Sequence, residues 1–253
     1  MRQRRRRVSG PASAGPRGVA PLALASALAA WLLAPGVALA ASTITIRTQD
    51  NVPLAATLYE PSQRPGPGVV LVHMHLRTRR DWDAVGERLA SNGIAALALD
   101  LRGHGDSGVG RFDTTTFTGA VADVRAAVLY LKVRRDLVNG GIGIAGASVG
   151  ANLAVLEAAG DPVVRSLALL SPGMDYRGLR IEAAVRSFGA RPALVVASAE
   201  DYYAMRSARL IAGLGPGTRE IQQVEGAGHG TVMLERRPDL VDTLVDWFRR
   251  TLL

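Results

Sequence analysis

The chain of 253 residues contains no cysteine. That absence excludes disulfides, thiolate nucleophiles, cysteine-ligated metals and a lipidated N-terminal cysteine. A disulfide-free chain can still be exported, so it leaves the compartment open. Acidic residues are missing from residues 1–40. The apolar run over residues 22–34 is too short for an ordinary membrane span. Histidine is scarce, at four residues: His73, His75, His104 and His229. A catalytic imidazole therefore has few candidates. No internal repeat or low-complexity tract stands out after residue 40.

What is present begins with an address. Met1-Arg2-Gln3-Arg4-Arg5-Arg6-Arg7 is a basic start, the apolar run follows, and Val37-Ala38-Leu39-Ala40 supplies small residues. This three-part pattern predicts a secretory signal peptide over residues 1–40, cleaved before Ala41, and a periplasmic or extracellular product. The arginines raise twin-arginine export, but Val8-Ser9-Gly10 lacks the usual apolar pair, so the route stays open. Six of the 30 basic residues lie in this leader. Without it, 24 basic residues face 22 acidic ones, a formal +2. The basic character of the whole chain thus gives no warrant for a nucleic-acid partner. Residues 41–253 are enough for one domain with a sizeable core. No stable membrane insertion is expected after cleavage, and the oligomeric state is not legible.

Alternation of apolar and polar residues over 42–48, a turn at Gln49-Asp50-Asn51 and a second strand over 52–59 predict an edge hairpin. Residues 62–68 read as loop. Continuous apolar runs over 68–73, 94–99 and 142–145 read as strands buried on both faces. Further strands are predicted over 164–170, 193–197 and 219–225. Helical spacing appears over 81–90, 117–133, 151–158, 204–214 and 238–252, with a loop and a short helix over 173–192. Strands alternating with helices predict an α/β fold: a mostly parallel central sheet of about eight strands with helices on both faces. In such sheets functional groups gather at the strand C-terminal ends.

Gly146-Ala147-Ser148-Val149-Gly150 stands between a buried strand and a helix. The pentapeptide alone is not specific. A serine at a sharp strand-to-helix turn, however, is forced clear of the sheet in strained geometry, with glycines relieving the crowding around it. The helix N-terminus adds free N–H groups beside its hydroxyl.

Ser148 needs a base. Only His229 follows the last strand, in the glycine-rich Glu225-Gly226-Ala227-Gly228-His229-Gly230. Such a loop can return an imidazole over the sheet edge to take the serine proton and later release it. An orienting carboxylate is offered by Glu200 and Asp201 just past a strand end, and Asp201 is preferred as the shorter acid further into the loop. His73 and His75 share one strand face, but no third metal ligand is evident. His104 reads as a residue that ties its loop by hydrogen bonds, and Trp82 as core packing.

With these residues in hand, the chain over 43–253 resembles the α/β-hydrolase superfamily. The order Ser148, Asp201, His229 matches its nucleophile, acid and base. Arg102-Gly103-His104-Gly105-Asp106-Ser107 resembles the loop after its fourth strand, and Leu71-Val72-His73-Met74-His75 its oxyanion loop, with Met74 where glycine is usual. The resemblance implies an oxyanion hole of two backbone amides, Val149 and His75, with Met74 or Leu76 as alternatives to His75. The short form is similar to dienelactone-hydrolase-like and small esterase branches, although dienelactone hydrolases use the cysteine that is absent here. About 20 residues between the strands ending at 170 and starting at 193 leave no room for a large lid. The implied function is an exported serine hydrolase, a carboxylesterase acting on a small-molecule acyl substrate, with no cofactor and no metal. Peptidase, thioesterase or acyltransferase chemistry on the same residues, and a non-catalytic binding protein on this scaffold, are the alternatives.

Overall fold

The computed structural model describes residues 40–108 and 114–253, with Gly10 alone before them. Apart from Gly10 and Ala40, the leader expected over residues 1–40 lies outside the described residues. Among the described residues no helix is long and apolar enough to cross a membrane.

Strands β1 (Ala40–Arg47) and β2 (Pro53–Glu60) form the antiparallel edge hairpin. Then follow β3 (Gly66–Val72), α1 (Asp83–Ser91), β4 (Ala95–Leu99), α2 (Thr114–Gly119), α3 (Val121–Val133) and β5 (Val138–Ala147). Next come α4 (Val149–Gly160), β6 (Val164–Leu170), the two-residue strands β7 (Asp175–Tyr176) and β8 (Leu179–Arg180), and α5 (Glu182–Phe188). The chain closes with β9 (Ala193–Ser198), α6 (Tyr202–Ala212), β10 (Arg219–Val224), α7 (Val232–Arg236) and α8 (Asp239–Leu252). Eight strands make one sheet in the order β1-β2-β4-β3-β5-β6-β9-β10. β2 runs antiparallel to β4, and every pairing from β4 to β10 is parallel. This is the α/β-hydrolase fold that the strand and helix pattern implies.

The two-residue period of a strand sorts the core into two layers. Val70, Val72, Leu97, Leu99, Ile144, Leu167, Leu169 and Val195 pack with α3, α4, α5 and α6 on one face. Val69, Leu71, Ala96, Ala98, Ala145, Ala147, Ala168 and Leu170 pack with α1 and α8 on the other. The many alanines of this second layer leave room for Trp82, Trp247 and Phe248, which are fully buried. Burial of the Phe248 ring contributes roughly 1.5–3 kcal/mol, while the gain from the two indoles is partly offset because both N–H groups are buried without a partner.

Several details depart from the sequence reading. The helix expected over 117–133 is two helices, α2 and α3, broken at Ala120. The buried Asp123 there accepts the Arg102 backbone N–H at 2.9 Å and its Nε at 2.8 Å, and Gly119 lets the guanidinium approach. β3 starts at Gly66, inside the expected loop, because Gly66 pairs beside Val138 of an extended β5. The stretch over 173–192 holds the β7–β8 hairpin as well as α5, and α7 was not expected at all.

Candidate active site

The sharpest corner of the molecule is the junction of β5 and α4. Ser148 has φ 52° and ψ −119°, a conformation that costs a residue with a Cβ roughly 1–3 kcal/mol. The corner is held on both sides. The Ser148 N–H donates to the Leu170 carbonyl at 2.8 Å, and its carbonyl accepts from Ala151 at 3.0 Å. The two flanking glycines are steric necessities. A Cβ on Gly146 would lie 2.3 Å from the Gly150 oxygen, and one on Gly150 would lie 2.5 Å from the Val72 and His73 oxygens. Val149 opens α4, so its amide has no partner within the helix.

The loop after β10 brings the histidine back. Gly228 and Gly230 flank His229 with φ of 81° and 60°. The Gly230 N–H donates to Ser171 Oγ at 3.0 Å, fixing the loop to the end of β6. His229 Nε2 then lies 2.7 Å from Ser148 Oγ, and its Nδ1 lies 2.5 Å from Asp201 Oδ2. A carboxylate only accepts, so Nδ1 carries the proton and Nε2 presents its lone pair to the serine hydroxyl. Asp201 is itself held: its Oδ1 accepts from the Ala204 N–H at 3.1 Å, capping α6. The other sequence candidate, Glu200, is turned elsewhere. It accepts from the Gly226 N–H at 2.8 Å and from the Ser198 hydroxyl, latching the histidine loop to β9. The structure thus brings Ser148, His229 and Asp201 into one hydrogen-bonded chain and keeps Glu200 outside it.

The opposite wall follows β3. His73 is fully buried, with Nδ1–H donating to the Met74 carbonyl at 2.7 Å and Nε2 accepting from the Leu101 N–H at 3.0 Å. One donor and one acceptor suit a neutral imidazole, and burial pushes its pKa down to about 4. Both of its nitrogens are therefore committed to the protein. Among the described residues no group of three or more His, Asp or Glu is arranged to hold a metal. His104 reaches beyond its own loop: Nδ1–H points at the Arg102 carbonyl, and Nε2 receives the Leu76 N–H at 3.2 Å. His75 Nδ1 also lies 3.2 Å from His104 Nε2. Of the three amides weighed for the oxyanion, that of Leu76 is thereby engaged.

The hairpin β7–β8 supplies residues that the sequence reading passed over as loop. The Tyr176 hydroxyl donates to the Ser171 carbonyl at 3.1 Å, and its ring stands edge-on to His229 at 6.3 Å. Burial, reinforced by the Asp201 charge, raises this phenol well above its usual range, so it stays protonated. Tyr203 pins the hairpin to α6 by accepting from the Asp175 N–H and donating to its carbonyl, at 3.0 and 2.9 Å. At the hairpin tip the Arg177 guanidinium lies over the Phe117 ring, 5.5 Å from its centre. Phe117 in turn meets the His75 ring at 5.4 Å.

Comparison with known proteins agrees with this fold. Residues 63–200, more than half of the chain, match the family described as serine aminopeptidase S33. No curated protein matches the chain. Among solved structures, a dienelactone hydrolase from Anabaena variabilis aligns with TM-score 0.70 and 19% identity over 85% of this chain and 99% of its own. An esterase from Pyrococcus furiosus aligns with TM-score 0.66 and 17% identity over 84% and 93%. An α/β-hydrolase from a Penicillium species aligns with TM-score 0.70 and 17% identity over 84% and 99%. At such identities the solved structures speak for the fold, and the family match carries the assignment: this chain belongs to the S33 family of the α/β-hydrolase superfamily.

Proposed function

We propose that this hydrolase cleaves carboxylic esters through an acyl-enzyme formed on Ser148, with His229 as base and Asp201 as the acid that orients it. The observation that carries the reading is the unbroken chain from Ser148 Oγ through the imidazole to Asp201, at 2.7 and 2.5 Å. His229 takes the hydroxyl proton as Oγ attacks the ester carbonyl. The tetrahedral oxyanion is held by the amides of Val149 and His75. His229 returns the proton to the departing alcohol, and water, activated by the same imidazole, releases the acyl group. Of the stretch between β6 and β9, the β7–β8 hairpin alone is seen against the site, through Tyr176 and His229, and this small cover suits short or flexible acyl groups.

The family description names aminopeptidases, and among the described residues the carboxylates nearest Ser148 already have partners. Binding a substrate α-ammonium calls for a spare carboxylate. Asp201 is held by His229, Asp175 is paired with Arg180 at 3.0 Å, and Glu200 is occupied by Ser198 and Gly226. Hydrolysis of short 4-nitrophenyl esters tests the proposal. Ser148→Ala and His229→Ala should each lower kcat by about 10⁴, and rapid mixing should reveal a burst of one nitrophenol per active site. Equal turnover by Ser148→Ala would overturn it. The basic, apolar and small-residue succession of residues 1–40 supports export of the enzyme, and the N-terminal sequence of protein recovered from outside the cytoplasm should begin at Ala41.

A further inference from the structure

Several arginines near the candidate site are paired with carboxylates, whereas Arg177, and Arg236 beside Gly228 of the histidine loop, are not. Arg77 pairs with Glu235 at 2.8 Å, Arg79 is paired with Asp100 and Asp106, and Arg102 is paired with Asp50 and Asp123. Each is neutralised by a carboxylate. Arg177 is not: among the described residues it has no ion pair, and its guanidinium lies over the face of Phe117 and close to His75. Its nearest acid along the chain, Asp175, is turned to Arg180 and to the Gly178 N–H. The hairpin that carries Arg177 is fixed by Tyr203, and the arginine itself has φ 52° at the tip. The residue is therefore presented outward from a pinned turn.

Its position follows from a ring of contacts. Ser148 meets His229, His229 faces Tyr176, Arg177 follows Tyr176 and covers Phe117, and Phe117 meets His75 of the candidate oxyanion loop. Arg177 thus reaches from the hairpin after β6, one residue from Tyr176 beside His229, to α2. The imidazoles beside it do not add charge. Burial, then the neighbouring His104 and Arg177, hold His75 below the usual imidazole range, and burial does the same for His104. This edge of the site carries an exposed guanidinium set against an aromatic face and an imidazole, a weaker attraction than a carboxylate fork offers.

We propose that Arg177 is a specificity residue that binds an anionic carboxylate on the substrate, so that the preferred substrates are esters bearing a free acid group. The proposal rests on Ser148 being the ester-cleaving nucleophile. The guanidinium would leave the Phe117 face and grip the acid in a bidentate pair. The acid can sit on the acyl group or on the leaving group, and the test separates the two.

The test compares kcat/KM within two matched pairs of substrates. Mono-(4-nitrophenyl) glutarate is set against 4-nitrophenyl pentanoate, and 4-acetoxybenzoate against 4-acetoxybenzamide. The wild type should favour the acid in at least one pair, and that pair names the side on which the acid sits. Arg177→Gln should lower the acid-to-neutral ratio of that pair by about ten- to a hundredfold, mostly through KM. Arg177→Lys should restore part of it, and Arg177→Glu should drive the ratio below that of Gln. Rising salt should erode the preference of the wild type. Calorimetry on Ser148→Ala should detect binding of the glutarate half-ester and its loss in Ser148→Ala/Arg177→Gln. No preference for the acid in either pair, or the same ratio in wild type and Arg177→Gln, would overturn the proposal while leaving Ser148-dependent hydrolysis intact. Hydrolysis that persists in Ser148→Ala would instead overturn the reading on which it rests.

Discussion

The backbone at Ser148 makes a prediction about stability that is independent of substrate. With φ at 52° and ψ at −119°, the residue occupies a region that only glycine enters freely. Ser148→Ala keeps the Cβ and with it the strain, and also loses the hydroxyl bonded to His229. Ser148→Gly loses the same hydroxyl but removes the Cβ. Relief of strain contributes roughly 1–3 kcal/mol, and the extra freedom of glycine in the unfolded chain costs roughly 0.5–1 kcal/mol. The glycine variant should therefore be the more stable of the two by about 1 kcal/mol, or roughly 2–4 °C in Tm for a chain of this size. Urea unfolding of both variants at pH 7 measures this directly, with equal m-values required for the comparison. Both should be inactive. A glycine variant no more stable than the alanine variant would refute the idea that strain is stored at this corner.

Other consequences concern the groups around it. His73, with a folded pKa of about 4 against an unfolded value near 6.5, binds its proton more readily in the unfolded chain. Its contribution to stability is present above pH 6.5 and is lost as pH falls to 4, by roughly 3 kcal/mol in full. The urea midpoint of the wild type should fall more steeply between pH 7 and 4 than that of His73→Gln, which cannot titrate; parallel curves would contradict this. Asp201→Asn should lower kcat by about 10³–10⁴, while Glu200→Gln, which disturbs only the latch between β9 and the histidine loop, should lower it less than about tenfold and reduce Tm. The reverse order in ester kinetics would return the acid's role to Glu200.

Much of this architecture was legible in the sequence because burial on both faces leaves an unmistakable signature. The apolar runs of β3, β4, β5, β6 and β9 announce themselves without help from neighbours. That Ser148, Asp201 and His229 would meet was legible for a related reason: each follows a readable strand, and strand C-terminal ends share one rim of a parallel sheet. What was lost lies in short or irregular segments. Two-residue strands such as β7 and β8 have no period to detect, so Tyr176 and Arg177 were read as loop. The break at Ala120 depends on Arg102 finding Asp123, a contact between distant parts of the chain. The choice among Met74, His75 and Leu76 turns on a one-residue offset, which only the His104 bond to the Leu76 amide begins to resolve.

The central claim is that Ser148 is made nucleophilic by His229. A fluorophosphonate probe followed by peptide mass spectrometry tests it most directly, because labelling needs a nucleophile, a base and a site that accepts a tetrahedral adduct. One equivalent of label should appear on Ser148 in the wild type, none in Ser148→Ala, and labelling should be greatly slowed in His229→Ala. An unlabelled wild type, or a Ser148→Ala variant labelled as fast as the wild type, would contradict the account.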